Sequence, residues 1–577
     1  MIDVEQFNTV YQRWQGKDDL DPEMKSDLLE IAEDREEIRE RFYKNLEFGT
    51  AGMRGLMGAG TNRMNLYMVR RTTQGLANYI KKQGAACQGV VIAYDPRRHS
   101  KDFALQAGLV LARNGIRALV FKEITATPIL SYAVKALEMT AGIVVTASHN
   151  PKEYNGYKLY WRDGGQLTNL VSQDITEEID QLKNELDIPV MSVEEAEQQG
   201  LLQWIDEEVL QSYLEKVVSQ VLRPDILKLH AKDCCIVYTP FHGTGLVPVR
   251  EALCRAGFAN VFIVPEQAAP DSDFPTVRYP NPEDVKAFAL ALDLAQRVQA
   301  DLVMGTDPDA DRLGAAARNA SGEYQLLSGN QIGALMIDYI LRAKTESRSL
   351  SDHAVIIKTI VTSSLGAEIA AKYGIRCLDV LTGFKYIGEK IKEFETSGTT
   401  SFLFGYEESN GFLIHDFVRD KDSVQAALLM AEMTAYYKSS GGSLLNRLQE
   451  IFEEFGFFKE AQISYGFEGI AGQEKIARIM KRFRERDPEI FSGLNAVRIK
   501  DYLLETEYDL LTGKTGKTTL PKADVIHITR EDKSWICIRP SGTEPKIKIY
   551  LSVRAHDTQG ADAQMEKLQR FITKAIK

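Results

Sequence analysis

One arrangement recurs along this chain: a short apolar run, uniform enough to be covered on both faces, stops abruptly at a cluster of polar residues. Ala141-Gly-Ile-Val-Val145 runs into Thr146-Ala-Ser-His-Asn-Pro151, and Ala300-Asp-Leu-Val-Met-Gly305 into Thr306-Asp-Pro-Asp-Ala-Asp-Arg312. Ser401-Phe-Leu-Phe404 likewise runs into Gly405-Tyr-Glu-Glu-Ser-Asn-Gly411. Each predicts a strand that delivers its loop at the carboxyl end, where α/β proteins place their chemistry. A strand over 89–94, a helix over 101–114, a strand over 117–121 and a turn at Thr127-Pro128 precede the first of these loops, an alternation that implies parallel sheet. Charged residues around Leu28, Leu29, Ile31, Ile38, Phe42 and Leu46 predict amphipathic helix over 20–47. Residues 173–220 read as charged and helical, a boundary region, before a strand over 234–238 that ends in a glycine-rich loop. Near the carboxyl terminus the pattern predicts strands over 524–530, 534–539 and 546–553 and a helix over 561–576, a separate small α+β domain.

The loops carry the candidate chemistry. Ser148 is presented behind a buried strand, although the same residues would also serve a turn that caps a helix. Phe48-Gly-Thr-Ala-Gly-Met-Arg-Gly55 is a glycine-rich loop carrying Arg54, dense enough for backbone N–H groups to approach an anion or simply to turn. Asn155-Gly156 is a tight-turn dipeptide, so the chain is expected to fold back there and return Lys158 toward Ser148. Asp307, Asp309 and Asp311 stand at alternate positions; carboxylates so close repel unless a cation binds them, and all-oxygen ligation suits Mg²⁺ or Ca²⁺. An EF-hand is excluded, because Arg312 follows the third aspartate where glycine is required and Arg318 stands where its last ligand would be Glu. Glu407 and Ser409 suit sugar hydroxyls, with Glu408 expected to be a solvated charge; Lys421 suits an anion, and Lys385 lies on a nearby turn. Arg539, Ser541, Gly542 and Thr543 crowd one loop between alternating strands, where a guanidinium, two hydroxyls and free N–H groups make a phosphate clamp.

Composition narrows the setting. At one domain per ~150 residues the 577 residues hold about four, and 44% apolar with 26% charged residues is ordinary for a folded chain. A formal net charge of -11 argues against general nucleic-acid binding, so anions must be met by local clusters. The six scattered cysteines read as reduced core residues. Neither a secretory leader nor an apolar run of ~18 residues stands out, and the run over 422–437 reads as a core helix, so a cytoplasmic enzyme without a membrane partner is expected.

In order along the chain, TASHNP, TDPDADR, GYEES and RPSGTEP make it similar to the α-D-phosphohexomutase family, most like its bacterial glucose-type branch. The resemblance implies three similar mixed-sheet α/β domains plus a smaller α+β carboxyl-terminal domain around a central cleft, with boundaries placed near 206, 322 and 450. It implies that Ser148 is phosphorylated and exchanges its phosphoryl group with glucose 1-phosphate or glucose 6-phosphate through bound glucose 1,6-bisphosphate. One Mg²⁺ would sit on Asp307, Asp309, Asp311 and a phosphoserine oxygen of Ser148. Arg54, Lys158 and Arg312 would neutralise charge, Lys158 would serve as general acid/base with a pKa depressed by surrounding cations, and His149 would assist. Thr382, Gly383, Lys385, Glu407, Ser409 and Lys421 would meet the sugar phosphate, and Arg539, Ser541, Gly542 and Thr543 its other phosphate. Members that handle mannose as well as glucose carry histidines in the sugar loops; Phe384 and the pair Asn410-Gly411 stand here instead, which favours glucose and leaves pentose phosphates open. A serine-dependent phosphatase is the rival of another class, although such enzymes draw on clustered histidines and the eight here are dispersed.

Overall fold

The computed structural model describes residues 6–49, 52–319, 321–467, 469–540 and 546–576. Among them the chain forms four sheets. In the first, the order is Phe48–Gly49, Gly52–Leu56, Tyr154–Trp161, Ala141–Val145, Val90–Tyr94, Ala118–Phe121 and Leu202–Ile205. Val90–Tyr94 and Ala141–Val145 run parallel and are buried throughout, as their unbroken apolar sequence requires. Their side chains alternate between two cores: Val91, Ala93 and Val144 face helix Thr127–Ala136, while Val90, Ile92, Ile143 and Val145 face helix Ser100–Arg113.

The second sheet is ordered Tyr324–Leu327, Leu313–Arg318, Leu302–Thr306, Cys235–Thr239, Asn260–Ile263, and the third Arg376–Val380, Ala354–Thr359, Ser401–Glu407, Gly411–Leu413. One unit recurs in all three: a strand parallel to its neighbour, a polar loop, then an antiparallel return strand. The pairs are Ala141–Val145 with Tyr154–Trp161, Leu302–Thr306 with Leu313–Arg318, and Ser401–Glu407 with Gly411–Leu413. Helix Ser423–Ser439, buried along almost its whole length, packs against elements of both the second and third units, as expected of a core helix. The fourth sheet is antiparallel, ordered Phe457–Gly466, Lys546–Ala555, Trp535–Pro540, Ile526–Arg530, Ala496–Asp501, Thr506–Asp509, Thr515–Lys517, and helix Thr558–Ile576 packs on it.

Several expectations change. The helix over 20–47 is two helices, Pro22–Glu30 and Arg35–Phe42, broken where Asp34 caps the second by accepting from Glu37 N at 3.0 Å. Residues 173–220 hold strand Leu202–Ile205, paired parallel with Ala118–Phe121; with Gln203 and Trp204 exposed, it carries no apolar run to announce it. The tail sheet gains Phe457–Gly466, whose residues are at most half-buried, for the same reason. Cys87 and Cys254 are exposed, not core, and all six cysteines are free. No described helix is long and apolar enough to cross a membrane.

Candidate functional site

The loop after Ala141–Val145 turns sharply at Ser148, whose φ of 52° lies in the left-handed region that a serine adopts only under constraint. Its backbone N–H donates to Thr146 Oγ1 at 2.8 Å, and Thr146 Oγ1 donates to Asp95 Oδ2 at 2.7 Å. The side chain is buried, and its Oγ donates to Asp307 Oδ2 at 2.6 Å across 159 residues of sequence. His149 Nδ1 lies 3.2 Å from the same oxygen. Burial, with Arg312 and Arg54 nearby, pushes the His149 pKa well below its ordinary value, so the imidazole is neutral. Arg54 reaches from Gly52–Leu56 to donate to Asn150 Oδ1 at 3.2 Å and remains exposed.

Asp307, Asp309 and Asp311 offer oxygens all within 4.8 Å of one another, and all three are buried. Burial, with Asp309 and Asp311 beside it, pushes the Asp307 pKa well above the carboxylate range. Asp311 goes the other way: burial would raise it, but Lys421, Lys158 and Arg312 together hold it well below. Lys158 Nζ lies 2.7 Å from Asp309 Oδ2 and 3.2 Å from Asp311 Oδ2, and Lys421 Nζ lies 3.2 Å from Asp311 Oδ2 and 3.1 Å from Asp420 Oδ1. Two buried oxygens, Asp309 Oδ1 and Asp311 Oδ1, have no hydrogen-bond partner. Such orphans beside a carboxyl Oδ2 that faces the serine are what a hard, oxygen-seeking cation such as Mg²⁺ satisfies, so the donor set fits one.

Two expectations about Lys158 fail. Asn155-Gly156 is not its turn; both residues lie inside strand Tyr154–Trp161, and Gly156 is there because a Cβ would come within 2.5 Å of Thr146 O and 2.9 Å of Met53 O. Nor is its pKa depressed. Burial does lower it, but Asp309 and Asp311 more than reverse that, and the raised value keeps it an ammonium.

The third loop joins the second directly. Arg312 Nη1 donates to Ser409 O at 2.8 Å and to Glu283 Oε1 at 3.2 Å, while Leu313 N donates to Asn410 O at 3.0 Å. Glu407 is buried, accepts from Gly383 N at 3.0 Å, and is raised by burial against the pull of Lys421 and Arg312. Glu408 is no freely solvated charge: it is half-buried and accepts from Thr362 Oγ1 at 3.1 Å and Thr359 Oγ1 at 3.2 Å, and burial with Glu407 beside it lifts its pKa to about 7. Thr382 Oγ1 is buried without a partner. Lys385 Nζ donates to Asn169 Oδ1 of the first unit at 2.9 Å. From the tail, Arg539 stands on strand Trp535–Pro540 directly opposite Lys548. Burial, Arg539 and Arg312 all lower the Lys548 pKa. Ser541, Gly542 and Thr543 lie outside the described residues.

Comparison with known proteins fits this geometry. Models of the phosphoglucomutase/phosphomannomutase alpha/beta/alpha domains I, II and III match residues 45–186, 211–322 and 328–455, and that of the C-terminal domain matches 472–568. The chain belongs to the phosphoglucomutase/phosphomannomutase family. A phosphoglucomutase of Staphylococcus epidermidis is 40% identical over 518 residues, 90% of this chain and 92% of the relative. One from Staphylococcus saprophyticus is 37% identical over 531 residues, 92% of this chain and 94% of the relative. Among solved structures, the open form of pp63/parafusin from Paramecium, described as a phosphoglucomutase, shares the fold at a TM-score of 0.68 and 19% identity, covering 92% of this chain and 95% of that one. A phosphoglucomutase/phosphomannomutase family protein from Burkholderia thailandensis does so at 0.65 and 18%, covering 92% and 97%.

Beside these loops stand several residues that motif reading passed over. Thr127 donates its backbone N–H to Asp309 O at 2.9 Å and its hydroxyl to Asp309 Oδ2 at 3.0 Å, tying the aspartate loop to the serine unit. Asp420 accepts from Tyr160 OH and Gln166 Nε2, both at 2.6 Å, and so fixes the carboxylate beside Lys421. Lys548 follows the clamp motif by only a few residues; its alternation with Ile547 and Ile549 is the signal that could have found it.

Proposed function

We propose that this chain interconverts α-D-glucose 1-phosphate and glucose 6-phosphate, with Ser148 carrying the phosphoryl group and glucose 1,6-bisphosphate as the intermediate. The observation that supports this most is the 2.6 Å approach of Ser148 Oγ to Asp307 inside a buried carboxylate cluster. A phosphatase nucleophile would serve the same chemistry with water; a cleft flanked by cations from several units suits a doubly phosphorylated sugar better. Mg²⁺, one per chain on Asp307, Asp309, Asp311 and the phosphate borne by Ser148, would supply charge neutralisation at the phosphoryl oxygens.

Each transfer makes one P–O bond, breaks another and moves one proton from the attacking hydroxyl to the leaving oxygen. Lys158 is the group we assign to carry that proton; the ammonium form favoured by Asp309 and Asp311 is the one with a proton to give. Neutral His149 can hydrogen-bond Ser148 Oγ without adding charge. Arg54 and Arg312 flank the migrating group, Glu407 and Ser409 read sugar hydroxyls, and Lys385, Lys421, Thr382, Gly383 and the Arg539 loop receive the remainder of the ligand.

The test is a coupled assay with glucose 1-phosphate, Mg²⁺ and catalytic bisphosphate. A mutase yields glucose 6-phosphate, whereas a phosphatase releases inorganic phosphate. Ser148→Ala should lose roughly 10³-fold or more in turnover while melting like the wild type; wild-type turnover in that variant removes the carrier assignment. Rates on mannose and ribose phosphates in the same assay rank the sugars, with glucose expected first.

A further inference from the structure

Beneath the serine loop lies a buried guanidinium to which none of the chemistry above assigns a role. Arg97 is buried, and its Nη2 donates to Ser148 O at 2.5 Å and Asn150 O at 2.6 Å, while its Nη1 donates to Pro151 O at 2.8 Å and Tyr154 O at 3.1 Å. Its Nε lies 3.2 Å from Asp95 Oδ2, both side chains being fully shielded from solvent. That carboxylate also accepts from Thr146 Oγ1, the atom that receives the Ser148 N–H. So the residues on either side of Ser148, and Ser148 itself, hang from one Arg97–Asp95 pair. The face of the guanidinium is covered by Phe274, with the cation 5.0 Å from the ring centroid. Phe274 belongs to a loop of the second unit, is itself buried, and has a φ of 44°.

We propose that Arg97 is a positioning residue for the phosphoryl transfer, capped from the second unit by Phe274. Four carbonyls aimed at one planar cation define the path of the loop in a way no single contact can, because the fork accepts them only in fixed directions. They hold Ser148 in its left-handed conformation, which aims Oγ at Asp307. Because the second unit supplies both Phe274 and Asp307, the loop is shaped and its target delivered by the same docking of two units. Arg97 makes no contact with Oγ and acts only through the backbone. This inference rests on the reading of Ser148 as the phosphoryl carrier.

The predicted signature separates positioning from mere support of the fold. Arg97→Lys keeps the charge but cannot reach four carbonyls. It should stay folded but melt lower, because buried carbonyls lose their donors, keep KM within about threefold and lose about 10²-fold in kcat, the scale on which a small misplacement of a reacting group is felt. Arg97→Ala should lose more, and added guanidinium should restore at least about tenfold of its rate where the same concentration of NaCl restores none. Phe274→Leu should fall between wild type and Arg97→Lys in kcat. An Arg97→Lys kcat within about threefold of wild type overturns the proposal, as does a folded Arg97→Ala that guanidinium leaves unchanged; should Arg97→Ala fail to fold, Arg97→Lys decides alone. Ser148→Ala, run alongside, keeps the two readings apart. Wild-type turnover there overturns the carrier assignment, whereas a dead Ser148→Ala beside an unimpaired Arg97→Lys overturns this inference only.

Discussion

Lys385 sits where three parts of the chain meet. Its Nζ donates to Asn169 in the first unit, stands 4.7 Å above the Tyr386 ring in the third, and feels Arg539 from the tail. Burial, aided by Arg539 and opposed by Glu389, pushes its pKa down to about 8, so it is an ammonium below that pH and a neutral amine above it. If the cation is what meets a substrate phosphate, kcat/KM, which reports the free enzyme, should fall as pH rises through about 8. Lys385→Arg, which stays charged, should move that limb to higher pH; a wild-type profile flat from about pH 7 to about pH 9 would show that Lys385 does not meet the phosphate as a cation. Thr127 makes a prediction of another kind. Its hydroxyl fixes one oxygen of Asp309, and such outer partners tune metal affinity, so Thr127→Val should weaken Mg²⁺ binding about 10- to 100-fold in calorimetric titration of the ligand-free protein. Unchanged affinity would mean that the backbone contact from Thr127 and the ammonium of Lys158 suffice to orient Asp309.

Three of the four sheets repeat one device, a parallel strand with an antiparallel return, and the chemistry of each loop is set by the register between the two. In the first, Val144 lies opposite Lys158 and Val145 opposite Tyr157, so Lys158 is carried on the return strand toward the loop that holds Ser148. Gly156 sits where that strand crosses Thr146 O on one side and Met53 O on the other. A methyl group there meets backbone on both sides, which cannot rotate away. Gly156→Ala should therefore cost about 1–3 kcal/mol in urea unfolding and, by shifting Ser148, Lys158 and Arg54 relative to one another, about 10²-fold in kcat. A variant as stable and as fast as the wild type would show that the three strands can spread without consequence. The loop-bearing strands were legible because Ala141–Val145 and Leu302–Thr306 are buried throughout and their sequences say so. Leu202–Ile205, half of it exposed, gave no such signal. The aspartate triad was legible as a local spacing, whereas Arg97 and Thr127 act on loops distant in sequence and look locally like ordinary turn and helix-start residues.

At the scale of the whole molecule, the tail unit has a core of its own, built from residues such as Ile526, Ile528, Ile536, Ile538, Ile547 and Ile549. It meets the third unit through a separate apolar cluster: Ile360, Val361 and Leu381 on one side, Tyr502, Val525, Trp535, Cys537 and Tyr550 on the other. Leu381 immediately precedes Thr382, so the surface that seats the tail continues into the loop of Thr382, Gly383 and Lys385, which the proposed function assigns to the ligand. At its edge His527 lies 5.3 Å from Trp535, and burial, with Lys500 and Lys358 adding to it against Asp379, holds its pKa near 4, so the contact stays uncharged at neutral pH. This contact is apolar, while the tail's fold stands on a different set of side chains. Trp535, 4% exposed, is the largest residue of that contact, and its neighbours on the same strand, Ile536 and Ile538, belong to the other core. Trp535→Ala should therefore loosen the seating of the tail before it unfolds the tail. KM for glucose 1-phosphate should rise about tenfold, and inorganic phosphate released per turnover should increase, because a site that closes poorly admits water to the phosphoryl group that the proposed function places on Ser148. Small-angle scattering should show a larger radius of gyration with the fold retained. If the molecule expands while KM and phosphate release stay at wild-type values, seating of the tail and substrate binding are independent, and the shared Leu381 is continuity of chain without coupling.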